Sequence, residues 1–107
     1  MDDVIIQDFA FAWKALNAEF IIKHLADEFK YDSQWVYDSL DKDAYADYLR
    51  GKFSYLKSQG IYVPVEIVPD YRCGTQMLKI IDPDGTICYY RIEVKDGKVI
   101  KGDICMF

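Results

Sequence analysis

After Gly60 the hydrophobic pattern of this chain changes period, and few folds accommodate the change. Up to that point apolar residues recur at helical spacing, with one interruption. Beyond it they alternate in four runs, IYVPVEIV, CGTQMLKIID, TICYYRIEV and KVIKGDICMF, each long enough for a strand. The last three runs are separated by Asp82-Pro83-Asp84-Gly85 and by Lys95-Asp96-Gly97-Lys98. A two-residue Asp-Gly loop between alternating segments closes a hairpin, because both central residues must accept positive φ. The C-terminal half therefore reads as an antiparallel meander of four strands.

In the N-terminal half, Ile5, Ile6, Phe9, Trp13 and Leu16 stand near helical spacing behind Asp2 and Asp3, acids suited to a helix N-terminus. Asn17 reads as the N-cap of a second, shorter helix, with Glu19 in its first turn and with Phe20, Ile21, His24 and Leu25 carrying it to about Asp27. The interruption comes next. Over residues 29 to 38 alternate positions place Phe29, Tyr31, Ser33, Trp35 and Tyr37 on one face of a strand, leaving Lys30, Asp32, Gln34 and Asp38 on the other. Asp41 then caps a third helix that stops at Gly60 and buries Tyr45, Tyr48, Leu49, Phe53 and Leu56. Gly51 in its middle costs about 1 kcal/mol relative to Ala, and a close approach by another backbone would account for it. The predicted order is α-α-β-α-β-β-β-β, an α+β fold.

The chain of 107 residues is 51% hydrophobic and 16% aromatic, which points to one domain over residues 1–107 with a sizeable core and against disorder. Thirteen basic and eighteen acidic residues leave a net charge of −5, which repels nucleic-acid phosphates and anionic membrane surfaces. The acidic start, MDDVIIQDFAF, lacks an apolar run of signal or membrane-span length, so a cytoplasmic protein is expected. Cys73, Cys88 and Cys105 are odd in number, widely spaced and far from the single histidine. That pattern argues against a structural metal site and for thiols packed as small hydrophobes; no cofactor is expected.

The order of elements over nearly the whole chain resembles the nuclear transport factor 2-like superfamily, which includes ketosteroid isomerase, scytalone dehydratase and small polyketide cyclases. The segments FAWKALN, FIIKHLADEFKYDSQWV and YADYLRGKF look like a bacterial branch of small members. The resemblance implies a cystatin-like cone, with helices packed on a strongly bent, mainly antiparallel sheet and ligands entering the open end, often in a homodimer. It leaves the chemistry open.

Within that frame the aromatic strand face becomes a candidate pocket wall. Tyr31, Ser33 and Trp35 are joined by Trp13 of the first helix and Tyr90 of the TICYYRIEV strand, with Leu78, Ile104 and Met106 as an apolar floor. Core packing is the competing reading for each residue taken singly. Buried hydroxyls and indole N–H groups need partners, however, and a mainly apolar cavity with few polar groups suits a small apolar or aromatic ligand. His24 is the acid–base candidate, since imidazole ordinarily titrates near neutrality, and Asp27 or Glu28 could partner it. A half-buried structural histidine is the alternative.

Ketosteroid isomerase uses an Asp base with Tyr and acid donors. Here the first helix offers Phe9 and Trp13 but no Tyr, and strand parity sends Asp32 and Glu66 away from the aromatic face, so no catalytic residue is carried over. Met77, Ile81, Ile87 and Tyr89 should point outward and form a homodimer face. Three functions compete: a module that binds a small apolar ligand, an isomerase, dehydratase or cyclase-type enzyme, and an acidic, immunity-type interaction protein.

Overall fold

In the computed structural model residues 2–33, 39–70 and 75–106 are described. The elements are α1 (Asp2–Ala15), α2 (Glu19–Ile22), β1 (Leu25–Ser33), β2 (Leu40–Asp41), α3 (Lys42–Ser58), β3 (Val65–Asp70), β4 (Thr75–Ile81), β5 (Ile87–Lys95) and β6 (Lys98–Met106). The six strands form one open sheet in the order β2-β1-β6-β5-β4-β3. β1 runs parallel to β6 and every other neighbouring pair is antiparallel. The expected α+β architecture is present, with the short β2 as an addition. α1 packs on β3 and β4, and α3 on β1 and β2.

Both long helices end through the same hydrogen-bond pattern, in which the second residue past the cap reaches back to the carbonyl of the last turn. At α3, Gly60 adopts φ 66° and the N–H of Ile61 donates to Leu56 at 3.0 Å, so the helix stops where the glycine predicts. At α1, Leu16 takes the same left-handed conformation, φ 54°, and the Asn17 N–H donates to Ala12 at 2.9 Å. The Asp41 carboxylate accepts from the Ala44 N–H at 2.9 Å and caps α3 as expected. The Asn17 side chain accepts from the Glu19 N–H at 3.1 Å, at the entrance to α2.

The second helix is much shorter than its hydrophobic spacing predicts: it ends at Ile22 rather than near Asp27. The reason is capture by the sheet. The carbonyl of His24 accepts from the Val99 N–H at 2.8 Å, and Leu25 is already paired with Val99 of β6. β1 therefore begins four residues before the predicted start. Between Leu25 and Lys30 it bulges against β6, which lets Leu25, Ala26 and Phe29 all be buried. Spacings of four residues fit a helix face and a strand face equally well, and only pairing decides between them.

Gly51 does not mark a close approach. It is exposed, and nothing lies within 4 Å of where its Cβ would stand. The crowded glycine is Gly102 in β6, where a Cβ would fall 2.5 Å from the Tyr90 hydroxyl and 3.2 Å from the Phe29 ring.

Candidate functional site

Three tyrosines from three elements meet over the inner face of the sheet. Tyr31 of β1 stacks on Tyr45 of α3, with ring centroids 4.3 Å apart and planes inclined by 22°. Tyr90 of β5 lies 6.1 Å from Tyr31, and Phe29 lies 5.1 Å from Tyr45. The Tyr45 and Tyr90 hydroxyls share a buried hydrogen bond of 2.7 Å. Burial raises the pKa of both phenols well above their ordinary value, because a phenolate has no solvation there; for Tyr90 the hydrogen bond shared with Tyr45 works against that rise. The pair is neutral and acts as donor and acceptor only. Tyr48, one helical turn from Tyr45, extends the stack, 6.1 Å from Tyr31.

Of the residues read as pocket wall, Trp13, Tyr31, Leu78, Tyr90 and Ile104 all join one buried core cluster. Trp35 lies outside the described residues, and for Ser33 and Met106 only the backbone is described. Tyr45 was placed in the buried helical stripe by its spacing but not in the wall. Its hydroxyl, which needs a partner wherever it is buried, was the signal that could have moved it there.

Trp13 packs edge-on against Phe53 of α3 at 4.8 Å. Its indole N–H is buried and has no acceptor among the described residues. Half-buried Lys52 holds its ammonium 5.4 Å from the Trp13 ring and 5.9 Å from Tyr48, within cation–π range of both.

His24 lies at the margin of this core, with its side chain 17% exposed and its ring 6.4 Å from Phe9. Its Nε2 is 2.7 Å from Asp8 of α1. Lys23 reaches the same carboxylate oxygen at 3.3 Å. The His24 hydrogen bond, with Lys23 assisting, holds the Asp8 carboxyl below its ordinary range. Asp27 instead pairs with Lys42 at 3.5 Å and is fully exposed. Asp8 was missed because its contact with His24 spans sixteen positions and depends on how α1 packs against α2 and the turn that follows it. Asp32 accepts from the Ser39 hydroxyl and Glu66 faces Lys79 at 3.9 Å. Both therefore have partners away from the aromatic face, as parity implied.

Cys88 is buried, and its thiol donates to Asp82 at 3.3 Å. Desolvation, reinforced by Asp82, pushes the thiol up to about 12, which makes it a poor nucleophile. A separate groove of about 370 Å³ lies between the α1–α2 turn and α3, floored by Phe53 and rimmed by the Arg50–Glu19 ion pair. None of the predicted wall residues lines it. Among the described residues no cluster of His, Cys, Asp or Glu suits a metal ion, and no helix is long and apolar enough to cross a membrane.

On the opposite face of the sheet, Ile81 of β4 pairs with Ile87 of β5, and Val68 pairs with Met77. Ile87 is 37% exposed, and Met77, Ile81 and Tyr89 are half-buried.

No protein-family model matches the chain, and no curated protein matches it. Solved structures do. A SnoaL-like protein of unknown function from Burkholderia thailandensis superposes with a TM-score of 0.74 at 16% identity, covering 94% of this chain and 89% of that one. An NTF2-like protein of unknown function from Cytophaga hutchinsonii gives 0.71 at 10% identity, covering 100% and 90%. A hypothetical protein with a ketosteroid isomerase-like fold from Catenulispora acidiphila, in complex with trimethylamine, gives 0.64 at 13% identity, covering 94% and 83%. The chain has the nuclear transport factor 2-like fold.

Proposed function

We propose that this protein is a cone-shaped module that binds a small, largely apolar ligand against its inner tyrosine face. The observation that carries the reading is the Tyr31–Tyr45–Tyr90 stack. The stack itself is buried, so it supports the reading as the aromatic floor, with phenols in the neutral form, that a planar apolar molecule entering at half-buried Tyr48 would meet. The reading takes Trp13, Leu78 and Ile104, which belong to the same buried core, together with Ser33, Trp35 and Met106 as the rest of the wall. Native mass spectrometry of freshly purified protein, with thermal shifts against a panel of small aromatic compounds, tests it. A retained mass or a raised melting midpoint supports the module, and neither appearing argues against it.

The reading includes a homodimer formed through Met77, Ile81, Ile87 and Tyr89, supported by the adjacent Ile81 and Ile87 on the face away from the helices. Light scattering at high protein concentration checks it, and a monomer mass there rejects the pairing. It also includes a cytoplasmic setting, consistent with a buried free thiol at Cys88.

A second reading, an isomerase, dehydratase or cyclase-type enzyme, draws on the Asp8–His24 contact of 2.7 Å, in which a carboxylate fixes an imidazole as a general base requires. It predicts that His24→Gln abolishes turnover while ligand binding persists. Turnover surviving that substitution removes His24 from the mechanism.

A further inference from the structure

We propose that Lys52 is an anion-recognition residue beside the tyrosine stack, so that the ligand of this protein is a small aromatic carboxylate; the proposal rests on the ligand-binding reading above. The motivating observation is a pair of donors at one ring, the Lys52 ammonium over its face and the ring's own indole N–H, for which the described residues supply no acceptor. The Lys52 ammonium sits 5.4 Å from the Trp13 ring, and no carboxylate of the described residues lies within 4.0 Å of it. Lys23, Lys42, Arg50 and Lys79 find carboxylates; Lys14, Lys30, Lys57, Lys95 and Lys101 have none within that distance among the described residues but are exposed, whereas Lys52 is half-buried. Lys52 is held instead by aromatic faces, Trp13 on one helix and Tyr48 on its own.

The second donor is the Trp13 indole N–H. Trp13 is only 3% exposed, and its Nε1 has no acceptor among the described residues. Buried N–H groups are nearly always paired, so one without a partner beside an unneutralised ammonium marks a place for acceptor oxygens. Cys88 does not supply them as a thiolate. The charge of Lys52 pulls the thiol's pKa down, but desolvation and Asp82 prevail and the thiol stays protonated. A carboxylate has two acceptor oxygens, no donor and a single charge, which matches one ammonium and one N–H. A phosphate monoester brings nearly two charges and three strong acceptors, more than these donors balance. The remainder of the ligand is aromatic because Tyr48, whose ring faces Lys52, continues into the stack of Tyr31 and Tyr45.

The test is calorimetric titration of the full chain at neutral pH with benzoate and 2-naphthoate, each against its neutral isostere, benzamide and 2-naphthamide. Wild type is expected to bind the better carboxylate about tenfold more tightly than the matching amide. Lys52→Gln should abolish the preference, so that acid and matching amide bind equally, and Lys52→Arg should restore part of it. Equal affinity for acid and amide in wild type, or a preference that survives Lys52→Gln, overturns the anion site and leaves the apolar module standing. Binding of neither class overturns both. Because the wild-type comparison decides by itself, the proposal stays testable if Lys52→Gln does not fold.

Discussion

Two polar clusters border a single ring, Phe9, which is 5.9 Å from Tyr90 and 6.4 Å from His24. On one side Tyr45 and Tyr90 share a hydrogen bond at full burial. On the other, Asp8, His24 and Lys23 form a contact that keeps some access to water, with Asp8 26% and His24 17% exposed. The difference shows how depth selects chemistry. A hydroxyl loses little on leaving water if it gains one partner, whereas an ionised carboxylate needs either several partners or residual solvent. Neutral groups therefore occupy the interior of the sheet's inner face, and charge stays at its margin.

The largest expected effect bears on the dry side. Gly102→Ala would drive a Cβ to 2.5 Å from the Tyr90 hydroxyl, with the Phe29 ring also close, and should cost about 1–3 kcal/mol in chemical denaturation. Tyr90→Phe in the same chain should recover only part of that loss, since the Tyr90 ring itself is 3.2 Å from the new methyl. Full recovery would show the hydroxyl alone to be the obstacle.

Next is Tyr45→Phe, which leaves the buried Tyr90 hydroxyl without its partner and should cost about 1–2 kcal/mol. The double change, Tyr45→Phe with Tyr90→Phe, should cost less than the sum of the singles. Strict additivity would mean that the hydroxyls do not depend on each other.

On the wet side Asp8→Asn should cost less, about 1 kcal/mol or below at neutral pH, because solvent screens the contact. Its pH dependence carries more information. The Asp8 carboxyl is held below 3.8 in the folded protein, so its stabilisation is complete above that value and is lost as pH falls through the lower folded value. The wild-type melting midpoint should therefore approach that of Asp8→Asn as the solution is acidified below about pH 4. A gap that stays constant into strong acid would detach Asp8 from the His24 contact. Smallest of all, Glu19→Gln should leave the melting midpoint unchanged, since the Arg50–Glu19 pair is exposed on both sides.

Several features of the inner face were legible from single residues. Asp41 and Gly60 bound α3 because a capping carboxylate and a positive-φ glycine act locally. Phe29 and Tyr31 face inward and Asp32 outward because strand parity is also local. The errors share a different origin. Residues 23–27 follow a spacing that serves helix or strand, and pairing with Val99 decided for the strand. Gly51 looked like the glycine of a close approach, but the crowding is at Gly102, set by where Tyr90 of the neighbouring strand ends. Asp8 escaped notice as the partner of His24, and Lys52 as the cation over Trp13, because nothing within a few positions of either indicates what it meets.

The amino-acid order by itself determined the element types outside residues 23–27 and the short β2, the antiparallel meander, the helix ends with capping residues, and the inner and outer rows of β4 and β5. These follow from backbone geometry and a hydrophobic period that repeats within a few residues. Tertiary structure alone decided which polar atoms meet. The Tyr45–Tyr90 and Asp8–His24 contacts span forty-five and sixteen positions, and the Lys52–Trp13 contact joins two helices. Each arises only when the sheet brings distant side chains to one depth, where the surrounding dielectric then selects whether the contact is neutral or ionic.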